Sequence, residues 1–298
     1  MTRDGAPTIP GVVLDHVAHA VPRWQDVWER YAADLGARWS SGGESIGFAP
    51  AQLRFGNGAR IELLMPHDAE VNDFLRRFLA RHGPGPHHLT FKVPNLAAAL
   101  EESERFGLEP RNVDTSDPLW MEAFLHPKQA SGIVVQLAEA PSSWDSPAPP
   151  DFPTAVRRLT DGSGPVGAAT LDRVAHAVAD LEAATALFGG LLGGEILEGG
   201  AGPGHRFVDL TWGGPLVLRL LTPMEGPGAS DLARWLGDRP GRLHHLALSL
   251  DEPDAVPGAS EATADLAAFA DETLGTAWWE IPPASNLGLR LLLSPSSR

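Results

Sequence analysis

The chain has no cysteine. That excludes disulfides, thiolate metal ligands and a cysteine nucleophile. It has no apolar run approaching the roughly 18 to 20 residues that a membrane span requires. Its first residues, MTRDGAPTIPG, lack the apolar core of a secretory signal. There is no basic surplus either. The formal net charge is −15, which leaves nothing to release counterions from nucleic acid or an anionic membrane. The expectation is a cytoplasmic protein with a small-molecule partner, no nucleic acid and no membrane, any ligand being held by a local site. What is present suffices for a core, at 43% hydrophobic against 20% charged. With 298 residues, length favours two domains of about 150 residues each.

A near-repeat organises those residues. Leu14–Val21 reads LDHVAHAV and returns as LDRVAHAV at Leu171–Val178, differing at one position, where His16 becomes Arg173. An imidazole can ligate a metal, whereas an always-protonated guanidinium cannot. The correspondence continues at nearly constant offset. His87-His88 returns as His244-His245, RIELLMP as LVLRLLTP with Arg219 in the place of Glu62, and Gly132 as Gly288. Long-period similarity of this kind predicts stacked or paired copies of one structural unit.

Within the first copy, Leu14–Val21 alternates as a strand should, and Pro22 ends it. Trp24, Val27, Trp28, Tyr31 and Leu35 form one helical stripe closed by Gly36. Ser45–Ala49, Gln52–Phe55 and Arg60–Leu64 are predicted strands, the last two joined by a turn at Asn57-Gly58. A connecting helix through Phe74 and Phe78 stops at Gly83-Pro84. Then His88–Val93, a helix over about Leu96–Phe106, and strands at Met121–Leu125 and Ile133–Leu137 repeat the order. The expected fold is α+β, with four βαβββ modules paired into two domains. These are 1–140, with modules over 14–66 and 86–140, and 170–298, joined by a Pro/Ser/Gly-rich linker over 141–169.

Alternate residues of a strand share a face. His16, Glu62, His88 and Gln136 are polar groups set in apolar strands, where an unpartnered buried polar group is costly. One divalent cation would satisfy all four. Imidazole and oxygen ligands suit Zn, Mn, Co, Ni or Fe without choosing among them. The second copy carries Arg173, Arg219, His245 and Leu292 at the matching places, a set that cannot hold a metal, although its two arginines could hold an anion. His19 matches His176, and His87 matches His244, so these are read as packing histidines. Glu122 and Glu280 both follow tryptophans; Glu122 is a weak candidate base. His126-Pro127-Lys128 is read as a turn.

The segments LDHVAHAVP, RIELLMP, PHHLTFKV and FLHPKQASGIVVQL, over about residues 14–140, resemble the vicinal oxygen chelate superfamily. This is the group of glyoxalases, bleomycin resistance proteins and extradiol dioxygenases, and the resemblance is nearest to its methylmalonyl-CoA epimerases. It implies two glyoxalase-like domains and metal ligands at His16, Glu62, His88 and Gln136. It also implies an enzyme, an isomerase or lyase whose metal stabilises an enolate or oxyanion on a substrate chelated through two vicinal oxygens. Two departures stand out. The family's last-strand ligand is ordinarily a glutamate where this chain has Gln136, and Ser45 stands where the epimerases carry a second acid, so the catalytic proton carrier is unidentified. Two histidines and one carboxylate are also the ligand types of a non-haem Fe(II) dioxygenase. A metal-free protein that sequesters a small molecule is a further alternative. A CoA ester is the implied substrate, yet no basic cluster for its phosphates stands out in the sequence. Monomer and homodimer are both expected to be open to a chain that carries two copies.

Overall fold

The computed structural model describes residues 8–140, 145–153, 167–224, 231–269 and 277–296. The predicted linker over 141–169 lies largely outside these residues. The first copy forms β1 (Val13–Ala20), α1 (Gln25–Trp28, continuing as a π-helical turn over Glu29–Asp34), β2 (Arg38–Gly42), β3 (Ala49–Arg54) and β4 (Arg60–Met65). After α2 (Phe74–His82) come β5 (Gly85–Lys92), α3 (Leu96–Arg105), β6 (Arg111–Asp114), β7 (Met121–Leu125) and β8 (Val134–Glu139). These eight strands make one sheet in the order β2-β3-β4-β1-β5-β8-β7-β6.

The second copy repeats the plan. It comprises β9 (Thr170–Val178), α4 (Leu181–Thr185, with a π-helical turn over Ala186–Leu191), β10 (Glu195–Gly202), β11 (His205–Thr211) and β12 (Val217–Pro223). Then follow α5 (Asp231–Leu236), β13 (Gly241–Leu250), α6 (Ala264–Ala267), β14 (Ser260–Glu261, before α6 in the chain), β15 (Trp279–Ile281) and β16 (Leu291–Pro295). Its sheet order, β10-β11-β12-β9-β13-β16-β15-β14, is the same one. The fold is therefore α+β, with two sheets built on four βαβββ-like modules, the fourth of which has only a 3₁₀ turn (Pro253–Ala255) between its first two strands. Two strands differ from the sequence expectation. The second strand of the first module is Arg38–Gly42, while Ser45 makes only an isolated bridge to Phe48. β6 is exposed along its whole length, so it carries no alternation to read.

By proximity the chain divides into two compact units, each drawing on both copies. One comprises Met1–His16, His88–Ser142 and Arg173–His244; the other comprises Val17–His87, Ser143–Asp172 and His245–Arg298. In the first unit, Phe91 packs edge-on against Trp212 and lies 6.0 Å from Phe188. His176 Nε2 donates to the carbonyl of Ser131 at 2.7 Å. In the second unit, Trp24, Trp28, Trp39 and Phe152 form an aromatic cluster, and His19 Nε2 donates to the carbonyl of Leu287 at 2.9 Å. The matched histidines thus do matched work: each anchors a loop that leads into a last strand.

Both loops carry a glycine that the backbone demands. Gly132 follows Ser131 with φ +85°, and a Cβ there would run into the backbone of Gly241. Gly132→Ala is expected to cost about 3 kcal/mol or more, from the left-handed backbone and the overlap together, measured by urea unfolding. A change within about 0.5 kcal/mol would refute this account of the loop.

Candidate metal centre

Three neighbouring strands of the first sheet supply the centre. β4, β1 and β5 lie side by side, and each presents one polar side chain amid apolar neighbours: Glu62, His16 and His88. All three are buried, at 6%, 0% and 4% exposure. One nitrogen or oxygen from each lies within 4.8 Å of the other two. Ligands sharing one tetrahedral ion at about 2.0–2.2 Å stand about 3.4 Å apart, so closing on an ion needs each side chain to move inward by about 1 Å or less. Two imidazoles and a carboxylate are a donor set that fits a divalent ion.

Further polar groups fix these side chains. His16 Nδ1 lies 2.8 Å from Asp15 Oδ2, and Lys92 Nζ sits 3.4 Å from Asp15 Oδ1. A carboxylate on one imidazole nitrogen orients the ring and leaves the other nitrogen for coordination. That other nitrogen, Nε2, now lies 2.8 Å from Thr90 Oγ1. The Thr90 hydroxyl in turn donates to Gln136 Oε1 at 2.5 Å. Gln136 Nε2 donates to Glu122 Oε2 at 2.6 Å, and Trp120 Nε1 donates to the same oxygen at 2.7 Å.

Of the expected site residues, His16, Glu62 and His88 therefore converge. Gln136 stands beside them through Thr90 and presents its carbonyl oxygen inward, because Glu122 holds its amino group. Thr90, Asp15 and Glu122 complete the surroundings. Thr90 was readable: it shares a strand face with His88, two residues on, and Ala247 replaces it in the second copy.

The register also revises one pairing. Glu280 lies opposite Leu292, the partner of Ala247 on β13, whereas Phe124 lies opposite Gln136, the partner of Thr90. Glu280 is thus the counterpart of Phe124. Glu122, opposite Ala138, corresponds to Trp278 and has no acidic match in the second sheet.

The second sheet fills the matching region with charge pairing. Asp209 takes two hydrogen bonds from Arg219, both at 2.7 Å, and one from Arg173 at 3.2 Å. The Arg219 guanidinium also lies 4.4 Å above the Phe207 ring. Asp209 is itself 1% exposed. Asp209 thus already pairs with both arginines within the sheet.

The histidines read as packing residues behave accordingly. Burial pushes the pKa of His19, His87 and His176 down to about 4, which keeps them neutral at pH 7. His126 closes the turn before β8, its carbonyl accepting from Gln129 and Ala130.

An eight-stranded sheet of two βαβββ modules, with histidines and a carboxylate on its middle strands, is the architecture of the vicinal oxygen chelate class. Residues 15–117 match the family described as the glyoxalase/bleomycin resistance protein/dioxygenase superfamily. Mouse mitochondrial methylmalonyl-CoA epimerase is 31% identical over 141 residues, covering 43% of this chain and 72% of that protein. The human enzyme of the same name is 30% identical over 137 residues, covering 43% and 73%. The chain belongs to the glyoxalase/bleomycin resistance protein/dioxygenase superfamily. Among solved structures, methylmalonyl-CoA epimerase from Mycobacterium tuberculosis is 27% identical with a TM-score of 0.39, covering 47% of this chain and 93% of that one. Among the described residues, no helix is long and apolar enough to cross a membrane.

Proposed function

We propose that the chain is a metal-dependent enzyme of the isomerase or lyase type, acting in the cytoplasm on a small oxygenated substrate at the centre in the first sheet. The observation that carries this reading is the buried convergence of His16, Glu62 and His88 within 4.8 Å. On this reading residues 1–140 hold the active domain, and 170–298 form a second domain without a metal site. His16, Glu62 and His88 would hold one divalent ion, with Gln136 a weak fourth ligand through Oε1 or a contact to substrate. When bound, the ion supplies Lewis acidity toward a developing oxyanion.

The chain's own groups supply the rest. Asp15 fixes the His16 ring, and Glu122 with Trp120 fixes the Gln136 amide. An amide cannot take up and return a proton as a carboxylate does. The carboxylate hydrogen-bonded to that amide is Glu122, and we assign it as the proton carrier that replaces the missing last-strand glutamate. An acyl-CoA is the first substrate to test, because the relatives at 30–31% identity are named methylmalonyl-CoA epimerases.

The test is exchange of the α-proton of methylmalonyl-CoA in D2O, followed by NMR, after reconstitution with Co, Mn, Ni, Zn or Fe(II). Metal-dependent exchange, reduced at least about 100-fold in Glu122→Gln, is expected. Oxygen consumption dependent on Fe(II), without proton exchange, would instead favour the dioxygenase reading that two histidines and one carboxylate also allow. Sub-stoichiometric metal, unchanged by His16→Ala, would leave a metal-free small-molecule binder.

A further inference from the structure

Asp15 recurs in the second copy as Asp172, but the two carboxylates keep different company. Lys92 and Ser249 each stand four residues after the matched histidines His88 and His245. In the second copy, Thr170 Oγ1 donates to Asp172 Oδ1 at 2.8 Å and lies 2.6 Å from Ser249 Oγ. A hydroxyl serves that carboxylate. In the first copy, Lys92 Nζ lies 3.4 Å from Asp15 Oδ1, the two side chains being 19% and 8% exposed. The other carboxylate oxygen, Oδ2, is the one beside His16 Nδ1. Each oxygen of Asp15 therefore has its own partner, which fixes the rotation of the carboxylate as well as its place.

Lys92 also meets a second group. Its Nζ lies 6.0 Å from the centroid of the Trp120 ring, at the outer reach of a cation–π contact. Strand register accounts for the approach. Lys92 lies opposite Ala138, and Ala138 lies opposite Glu122, so one small side chain separates the lysine from the glutamate on this face. From Trp120 the contacts run through Glu122 to Gln136, then to Thr90, and from Thr90 back to His16. They close into a ring that begins and ends at His16, and Lys92 joins its two arms.

We propose that Lys92 is a positioning residue for the metal centre, acting through Asp15 to hold the His16 ring in its ligating orientation. This role rests on the metal-dependent reading of the centre. A carboxylate as buried as Asp15 is costly without a counter-charge. Without the ammonium, Asp15 would turn from His16 towards water. Partners one step behind the ligands govern metal affinity by factors of about 10–100. A bare carboxylate would also draw harder on the imidazole proton, which favours metal binding. Orientation outweighs that gain, because each ligand must move inward along a set direction to close on an ion.

Cobalt(II), titrated into the metal-free full chain against a competing chelator, tests the role. Lys92→Met keeps most of the stem and removes the charge, and its cobalt affinity is expected to fall at least about tenfold. Lys92→Arg restores a cation and is expected to stay within about threefold of the wild type. Asp15→Asn/Lys92→Met is expected to bind no more weakly than Asp15→Asn, because the lysine then has no carboxylate to hold. Unchanged or tighter binding in Lys92→Met, no recovery in Lys92→Arg, or a further loss of about tenfold in the double variant would overturn the proposal while leaving the metal centre in place. A wild-type chain that binds no cobalt would overturn the metal reading and this role with it. Thermal unfolding without metal separates positioning from folding. All variants are expected to unfold cooperatively within several degrees of the wild type, and a collapse of Lys92→Met would mark the lysine as structural and overturn its assignment.

Discussion

His16→Ala is expected to yield a folded protein that no longer retains metal. Metal content should fall from about one ion per chain to below about 0.1, with proton exchange lost in parallel. The expectation follows from the donor count. With His16 gone, Glu62 and His88 remain, and two protein ligands rarely hold a divalent ion against dilution. The fold should survive, because the ring bonds to its chain neighbour Asp15 and to Thr90 on the adjacent strand of the same sheet; a cost of about 1–3 kcal/mol is expected. Asp15→Asn should be milder, weakening metal affinity about 10–100-fold through loss of the orienting carboxylate. His245→Ala provides the contrast. It alters the matching histidine of the second sheet, where two arginines paired with Asp209 stand in place of His16 and Glu62, and metal content should not change. Elemental analysis of the three purified variants decides. Two ions per chain in the wild type, or full retention in His16→Ala, would refute the assignment of one centre to the first sheet.

The contrast between the copies explains what was legible beforehand. His16 and Glu62 stood out because their counterparts are arginines, and they converge in the structure with His88. Thr90 follows the same logic, since Ala247 replaces it, but a lone threonine in a strand of high β-propensity carries no signal by itself. Asp15 was invisible to that comparison because Asp172 keeps it in both copies. Its role appears only once the backbone brings its carboxylate to His16 Nδ1. Glu122 was mispaired with Glu280 because both follow tryptophans, and only strand register separates them. The fold itself was easier. Long alternating strands and striped helices announce themselves, while β6, exposed at every residue, and β2, at a sheet edge, do not.

Acidification should destabilise this protein from about pH 6.5 downward, before most carboxylates lose their charge. His19 and His176 are both fully buried, and burial lowers each pKa from 6.5 to about 4. Their neutral forms are built in. His19 donates from Nε2 to the Leu287 carbonyl, so its Nδ1, 3.0 Å from the Tyr31 hydroxyl, is the acceptor. Burial keeps that Tyr31 hydroxyl protonated by raising its pKa, which supplies the proton Nδ1 accepts. His176 donates from Nε2 to the Ser131 carbonyl in the same way. Protonating either ring puts an unsolvated charge in the core. Between pH 6.5 and 4 the unfolded chain binds more protons than the folded one. Stability is then complete above pH 6.5 and is lost as pH falls toward 4. Each histidine accounts for about 3 kcal/mol over that window, so the pair reaches about 6 kcal/mol, comparable with the whole stability of an ordinary domain. Urea midpoints measured from pH 7.5 to 4 should fall steeply through the window. The double variant His19→Gln/His176→Gln should be weaker at pH 7, having lost two fitted anchors, but its stability should vary far less with pH. A slope as steep as that of the wild type would show that other groups, and not these two rings, set the acid limit.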